Sequence, residues 1–266
     1  VRAALNTGVG MVRFNGKDDT LRTLMLGQNP ETVCFTGPPA HEYVHAWAGG
    51  SGTGPETLDH NRYLLNAPEP AILDAGAVDL AADYLMAGHS LGEHKILTPH
   101  AGELERFLRR IHEHSPQRWE EMLDGALVPS REDINAEPFR WVRAACELSG
   151  ATVMLKGSTT LIAAPVGATY SVHGATGWLA TAGSGDTLTG ILGALLAQYM
   201  AAAQERHEQV EGCTYASLAA LAVYLHNRAA LASLDGLKGP VPPSRVAAYL
   251  PQAIAELLDE KAVLDD

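Results

Sequence analysis

The sequence is poor in cysteine, aromatic residues and basic residues, and these shortages exclude several classes of protein. Three of its 266 residues are cysteines, and they lie far apart. An odd and scattered set of this kind predicts neither a disulfide framework nor a zinc cluster. Aromatic residues make up 6% of the chain, apolar residues 46% and charged residues 19%, an ordinary globular composition that excludes a disordered or fibrous chain. We expect a cytoplasmic protein, because free cysteines suit a reducing compartment.

Basic residues are outnumbered by acidic ones, 19 against 31, which gives a formal net charge of −12. Such a charge repels nucleic acids and anionic membranes. No apolar run approaches the ~18 residues that a membrane-spanning helix needs. We therefore expect neither a nucleic-acid nor a membrane partner, and any bound phosphate must be held by local groups.

Short apolar segments alternate with longer segments in which apolar residues recur every three or four positions. This alternation predicts βαβ units that build a mostly parallel sheet between layers of helices. Strands are predicted at residues 32–35, 44–48, 70–74, 95–98 and 152–155. Helices are predicted at residues 77–87, 101–111, 137–148, 186–203, 213–234 and 245–257.

Two other segments break this rhythm. Residues 112–136 are polar and weakly periodic, which predicts an insertion. Residues 161–172 contain two short apolar runs around a Pro-x-Gly turn, a pattern typical of an antiparallel edge hairpin. Because no linker rich in proline or glycine divides the chain, we expect a single domain over residues 1–266.

A glycine-rich turn, GSGD at residues 183–186, directly precedes a long apolar helix. Glycines allow successive backbone N–H groups to converge, and a helix N-terminus attracts negative charge, so this turn could bind a phosphoryl group. Asp186 could instead serve only as a helix cap. A cap needs one acceptor, however, whereas Gly183, Gly185 and Gly190 together favour a close approach of a ligand to the backbone.

Polar side chains also follow two predicted strands. Lys156 ends an apolar strand and begins a turn rich in hydroxyl groups, while His100 and Glu103 follow another strand and a proline. The carboxyl edge of a parallel sheet is where such folds bind ligands. The plainer alternatives are a common Lys-Gly turn and a helix start at which Glu103 complements the helix dipole.

Two further motifs fit no standard site. Residues 49–54 carry four glycines after a predicted strand, but match neither GxGxxG nor a P-loop, so we expect only a ligand-facing turn. Residues 41–45 read HEYVH, which matches the HExxH zinc pattern. That pattern binds zinc only on a helix, and here Pro38 and Pro39 precede it and a predicted strand overlaps it, so we expect no zinc site.

Five segments in order, GGSGTG, LDAGAV, LTPHAGE, LKGSTT and WLATAGSGDTLTGILGALLAQ, resemble the ADP/ATP-dependent NAD(P)H-hydrate dehydratase family. This family is a branch of the ribokinase-like superfamily. The resemblance runs through nearly the whole chain and implies an α/β three-layer sandwich with a mostly parallel central sheet. It also implies an enzyme that restores the hydrated, damaged form of NADH or NADPH, using ADP or ATP as co-substrate together with Mg²⁺.

The resemblance assigns roles to particular positions. Asp186 is similar to the catalytic and substrate-contacting aspartate, and Gly183, Ser184 and Gly185 would form the anion hole beside it. Positions similar to substrate-binding residues are His100 and Gly52, and Glu103 is similar to an acid that helps to place Mg²⁺ indirectly. Nucleotide binding is implied for Lys156, Gly157, Ser158, Thr159, Thr160 and Gly185.

The chain departs from the family pattern in three places. It has ATGW at residues 175–178 where many members have Gly-Asn-Pro-Gly, and DAGA at residues 74–77 where many have DADA. It also opens on what resembles the family's early helix, so that a first strand and a glycine-rich loop are missing from the sequence given. The first departure leaves the choice between ADP and ATP open.

Two alternatives to a dehydratase are a sugar or vitamin-precursor kinase of the same fold, and a nucleotide-binding protein that has lost catalysis. LTPHAGE argues against the kinase, and retention of Asp186 among its glycines argues against loss of catalysis. The family resemblance also implies a homodimer or homotetramer.

Overall fold

A mixed six-stranded sheet forms the centre of the protein in a computed structural model, which describes residues 1–16, 18–52, 58–167 and 169–264. Its strand order is β3-β4-β5-β6-β7-β8; β3 to β6 are parallel, and β7 and β8 are added in antiparallel fashion. A separate two-stranded parallel sheet joins β1 and β2. The strands are β1 (Arg13–Asn15), β2 (Val33–Phe35), β3 (Trp47–Gly49), β4 (Ala71–Leu73), β5 (Lys95–Leu97), β6 (Thr152–Leu155), β7 (Thr160–Ala163) and β8 (Thr169–Val172).

Helices cover both faces of the six-stranded sheet. They are α1 (Arg2–Asn6), α2 (Asp19–Gln28), α3 (Leu58–Asn66), α4 (Gly76–Met86), α5 (Ala101–His114), α6 (Pro116–Leu123), α7 (Arg131–Ala136), α8 (Pro138–Ser149), α9 (Ser184–Arg206), α10 (Gly212–Leu234) and α11 (Pro243–Leu264). Among the described residues, none of these helices combines the length and apolarity needed to cross a bilayer.

Two hydrophobic cores result, one on each face of the sheet. Leu73 and Leu97 belong to the core formed with α4, α5 and α8, whereas their neighbours Ile72 and Ile96 belong to the core formed with α9, α10 and α11. Side chains alternate between the faces of a strand, so fully apolar strands require a cover on both sides. The predicted three-layer α/β sandwich with a mostly parallel sheet is confirmed.

Most predicted elements are present with ends shifted by a few residues. All six predicted helices form, and the predicted hairpin is β7 and β8, paired from Thr160 with Val172 to Ala163 with Thr169. The strand predicted at residues 44–48 begins only at Trp47. His41 ends a short 3-10 helix and His45 lies in no helix, so the two histidines do not share a helical face.

The polar segment at residues 112–136 is more regular than its weak periodicity predicted. It completes α5 and forms α6 and α7. Trp119 and Ile134 are fully buried in the core beside α5 and α8, and the Trp119 indole donates a hydrogen bond to the Ala126 carbonyl at 2.6 Å. Each short helix is thus anchored by a single large apolar residue, which leaves little periodic signal in the sequence.

Candidate active site

Four adjacent parallel strands end at one edge of the sheet, and each is followed by a polar side chain. Asp74, Thr98 and Lys156 come directly after β4, β5 and β6, and Ser51 lies two residues after β3. Helix α9 begins at the same edge, with Asp186 in its first turn. The carboxyl edge of the sheet therefore gathers two carboxylates, an ammonium group and two hydroxyl groups.

Asp74 is the centre of this cluster, although its side chain is nearly inaccessible to solvent. Its Oδ1 accepts hydrogen bonds from the Thr98 hydroxyl at 2.8 Å and the Lys156 ammonium at 2.6 Å. Its Oδ2 lies 3.2 Å from the hydroxyls of Ser51 and Thr189. Burial alone would raise the pKa of Asp74, but Lys156 and Thr98 outweigh it and hold the pKa below its usual value.

Lys156 joins this cluster to the start of helix α9. Its backbone N–H donates to the Pro99 carbonyl at 2.8 Å, which fixes the residue beside the loop that follows β5. Its Nζ lies 3.9 Å from Glu103 Oε2 and 3.4 Å from where a Cβ on Gly185 would stand. A cation thus lies against the first turn of α9, the place predicted for a phosphoryl group.

The first turn of α9 depends on glycine. Gly183, the residue before the helix, has φ of +87°, a left-handed conformation that side chains disfavour. Asp186 is exposed, and its carboxylate accepts a hydrogen bond from the Ser51 hydroxyl across the edge. The structure therefore gives Asp186 a partner outside its own helix, which a residue serving only as a cap would not need.

A buried histidine of helix α10 lies against the same turn. His226 of α10 is 5% exposed, and its Nε2 lies 3.5 Å from the Ser184 hydroxyl. Burial lowers its pKa to about 4, against the smaller opposing effect of a hydrogen bond to the Ser184 backbone. The imidazole is therefore neutral near pH 7.

His100 and Glu103 form a capping box at the start of α5. His100 Nδ1 accepts from the backbone N–H groups of Gly102 and Glu103 at 3.1 and 3.2 Å, and Glu103 Oε2 accepts from the His100 N–H at 2.8 Å. The plainer alternative, in which these residues mark the start of a helix, is therefore correct. Because Nδ1 is an acceptor, Nε2 carries the proton, and the ring is 58% exposed at the edge shared with Lys156.

The turn predicted to bind nucleotide divides into an exposed and a buried part. Gly157, Ser158 and Thr159 are exposed, whereas Thr160 is 5% exposed within β7. Gly52 is exposed in the loop after β3 with φ of +64°. The rest of that loop, residues 53–57, lies outside the described residues.

Sequence reasoning assigned no role to Asp74, Ser51, Thr98 or Thr189. Their shared signal is position. Asp74 and Thr98 end predicted strands, Ser51 follows one, and Thr189 lies about one helical turn after Asp186. Across the described residues, no group of three or more His, Cys, Asp or Glu side chains is placed to hold a metal ion by itself.

The fold is that of ribokinase-like proteins. Among solved structures, a ribokinase-like superfamily protein from Enterococcus faecalis is similar, with a TM-score of 0.72 and 21% identity over 96% of this chain and 80% of that one. An ADP/ATP-dependent NAD(P)H-hydrate dehydratase from Bacillus subtilis, co-crystallised with ATP and Mg²⁺, has a TM-score of 0.71 and 22% identity over 96% and 82% of the two chains.

The chain belongs to the NAD(P)H-hydrate dehydratase family, whose sequence profile matches residues 1–251. A curated relative is the bifunctional NAD(P)H-hydrate repair enzyme of Mycobacterium tuberculosis, which is 35% identical over 199 residues. The match covers 73% of this chain and 36% of that protein, so the chain spans only about a third of the relative's length.

Proposed function

We propose that this protein dehydrates the hydrated form of NADH or NADPH at the expense of ADP or ATP. The observation that carries the proposal is the meeting of Asp186, the Lys156 ammonium and the glycine-rich start of α9 at one sheet edge. A base, a cation and converging N–H groups are the components that phosphoryl transfer requires. Family membership and the name of the Bacillus subtilis enzyme support hydrate as the substrate.

Phosphorylation solves the chemical problem of the reaction, because hydroxide is a poor leaving group and phosphate is a good one. Asp186 accepts the proton of the hydrate's hydroxyl group. At the same time, the hydroxyl oxygen attacks the terminal phosphorus of the nucleotide, and the bond from that phosphorus to the bridging oxygen breaks. The N–H groups of Gly183, Ser184 and Gly185 stabilise the negative charge on the phosphoryl oxygens, and Lys156 adds its positive charge. The electrons of the nicotinamide nitrogen then expel phosphate, and loss of a proton from the neighbouring carbon restores the double bond.

The nucleotide is assigned to the opposite end of the same edge. Gly157, Ser158 and Thr159 present an exposed turn beside Lys156, and buried Thr160 anchors that turn in β7. Thr160 pairs with Val172, which lines an open groove of about 450 Å³ together with Leu221 and Tyr224. An apolar groove next to a phosphate-binding turn suits a nucleobase.

Mg²⁺ fits this edge through Glu103. Mg²⁺ keeps several waters and binds proteins through one or two carboxylates together with phosphate oxygens. Glu103 is 8% exposed and lies 3.9 Å from Lys156, so one carboxylate faces the region assigned to the phosphates. When bound, the ion would neutralise charge on the phosphate oxygens, and Glu103 would hold it through water.

The substrate side is assigned to His100 and Gly52, with Asp186 between them and the phosphates. A dehydratase must orient the nicotinamide ring as well as deliver a hydroxyl, and His100 offers an exposed N–H from a rigid helix start. We further propose a cytoplasmic protein that forms a homodimer or homotetramer, without nucleic-acid or membrane partners.

The test is to incubate the protein with hydrated NADH or NADPH, Mg²⁺ and either ADP or ATP. Recovery of the reduced-nicotinamide absorbance with release of one phosphate per cofactor is the expected result. Consumption of nucleotide with a stable phosphorylated product would identify a kinase instead. Absence of both, in a protein that still binds nucleotide, would show that catalysis has been lost.

A further inference from the structure

The Ser51 hydroxyl lies between the two carboxylates of the site. It donates to Asp186 and lies 3.2 Å from Asp74 Oδ2. Its position is fixed by Gly50, which has φ of +114° and packs so closely on β4 that a Cβ there would stand 1.8 Å from the Asp74 carbonyl oxygen. The backbone before Ser51 is thus held against the end of β4, and the side chain has little choice of direction.

A hydroxyl group has one proton to donate, so it cannot bond both carboxylates at once. Asp74 has three other side-chain donors, with Thr98 and Lys156 on Oδ1 and Thr189 on Oδ2, and it also accepts from the Ala75 backbone N–H. For Asp186, the hydrogen bond found among the described residues is the one from Ser51. The Ser51 proton therefore belongs on Asp186.

We propose that Ser51 is a positioning residue that fixes the plane of the Asp186 carboxylate and aims its second oxygen at the reacting hydroxyl. The hydrogen bond from Ser51 to Oδ1 removes the freedom of the carboxylate to rotate. Oδ2 is then the oxygen that accepts the substrate's proton. The inference rests on the proposed function only for the role of Asp186 as the base.

Two charged groups near Ser51 stay in place when Ser51 is changed. Lys156 lies beside Gly185 in the first turn of α9, and Asp74 lies behind Ser51. A difference between Ser51 variants therefore reports the hydroxyl and not these charges.

The first experiment measures the surroundings of the Asp186 carboxylate without requiring activity. The carboxyl carbon of Asp186 is observed by ¹³C NMR at neutral pH and identified by its absence in Asp186→Asn. Ser51→Ala is expected to move this signal, since the hydrogen bond to the carboxylate is lost. Ser51→Thr, which keeps the hydroxyl on an exposed loop, is expected to leave the signal near its position in the parent protein.

Thr189→Val is the matched control, because it removes a hydroxyl from the other side of Asp74 and leaves the Ser51 contact with Asp186 intact. The Asp186 carboxyl signal should stay in place in this variant. An unmoved signal in Ser51→Ala, or an equal change in Thr189→Val, would overturn the proposal.

The second experiment uses hydrate repair. Ser51→Ala should lower kcat about tenfold or more and leave the KM for nucleotide unchanged, whereas Ser51→Thr should recover kcat. A parent protein without repair activity would contradict the proposed function. The NMR signal of the Asp186 carboxyl carbon would still decide the role of Ser51.

Discussion

The Lys156 ammonium lies 2.6 Å from Asp74 Oδ1, and this ion pair holds together the ends of two strands that are 82 residues apart in sequence. Thr98 donates to the same oxygen from the strand between them. The position of Lys156 relative to the start of α9 therefore depends on a buried carboxylate that needs no contact with substrate.

Asp74→Asn is expected to lower the free energy of unfolding by about 2 to 3 kcal/mol, because it removes one partner of a buried ion pair and leaves the other charged. Urea unfolding at neutral pH measures this loss. Asp79→Asn is the control, since Asp79 pairs with Arg106 and Arg110 on the helical surface and not at the site. Equal effects of the two substitutions would contradict a special role for the Asp74 pair.

The same pair makes stability sensitive to acid. Since the pKa of Asp74 in the folded state is below its ordinary value of 3.8, its contribution is present above pH 3.8 and is lost as the pH falls through the folded-state value. Asp74→Asn should lack this acid-sensitive part of the stability curve.

Asp186→Asn is expected to abolish hydrate repair, with a loss of about 10² to 10⁴ in kcat, because the amide cannot accept the proton of the hydrate's hydroxyl. Nucleotide affinity, measured by calorimetry, should change little. The amide oxygen still accepts from Ser51, so the loop after β3 should keep its place. Repair within a few-fold of the parent would rule out Asp186 as the base.

Local sequence patterns predicted the strand ends well and their hydrogen bonds poorly. The run Thr152–Leu155 is predicted to its last residue, because an apolar segment bounded by a glycine and a lysine has few alternatives. It follows that Lys156 lies at the carboxyl edge. The partner of Lys156 could not be predicted in this way, because the proximity of Asp74 follows only from the strand order β4-β5-β6.

Contacts between residues that are far apart in sequence could not be predicted for the same reason. Ser51 and Asp186 are 135 residues apart, and Thr189 is 115 residues from Asp74. The sequence pattern singled out Asp186 but gave no sign that Ser51, Thr189 or Asp74 would be near it. Trp119 was missed for a different reason, since α6 has a single buried residue and so offers no period to detect.

Lys95 is expected to make stability rise with pH in the alkaline range. Its side chain is 1% exposed at the opposite edge of the sheet and donates to the carbonyls of Ala67 and Glu69. Burial lowers its pKa from 10.5 to about 8, so between these values the unfolded chain binds more protons and the folded state gains stability as pH rises. The gain is up to about 3 kcal/mol.

Unfolding by urea across this pH window measures the effect, with Lys95→Met as the comparison. The variant should show a flatter profile between pH 8 and 10.5, although it loses the two hydrogen bonds at every pH. Identical slopes in the two proteins would mean that another group causes the rise.

His226 is expected to make folding stability rise with pH in the acid range. The folded-state pKa of about 4 lies below the ordinary value of 6.5, so its contribution to stability is complete above pH 6.5 and is lost as the pH falls toward 4. His226→Gln removes the titration and keeps a polar partner for Ser184. Its unfolding free energy should vary less than the parent's over this window, and an equal pH dependence would exclude His226 as the source.

His100 offers the sharpest distinction between a dehydratase and a kinase. Its ring has two separate features in the structure, because Nδ1 caps α5 while Nε2 lies 3.7 Å from Glu103 Oε1 on a side chain that is 58% exposed. His100→Ala removes both, and His100→Asn removes the ring but keeps a side-chain acceptor suited to the cap. Both substitutions should lower kcat for hydrate repair about 10²-fold if the ring orients the nicotinamide, whereas only alanine should cost about 1 kcal/mol of stability.

Affinity for ADP or ATP completes this test, because the turn after Lys156 is assigned to hold the nucleotide without help from His100. Calorimetry should give nucleotide dissociation constants near the parent value for both variants. If both substitutions instead weakened nucleotide binding and left repair per bound nucleotide unchanged, His100 would belong to the nucleotide side. On the substrate side, His100 would then do no more than cap α5. A kinase requires only that a substrate hydroxyl be brought to the phosphoryl group, so a kinase would explain the site as well as a dehydratase does.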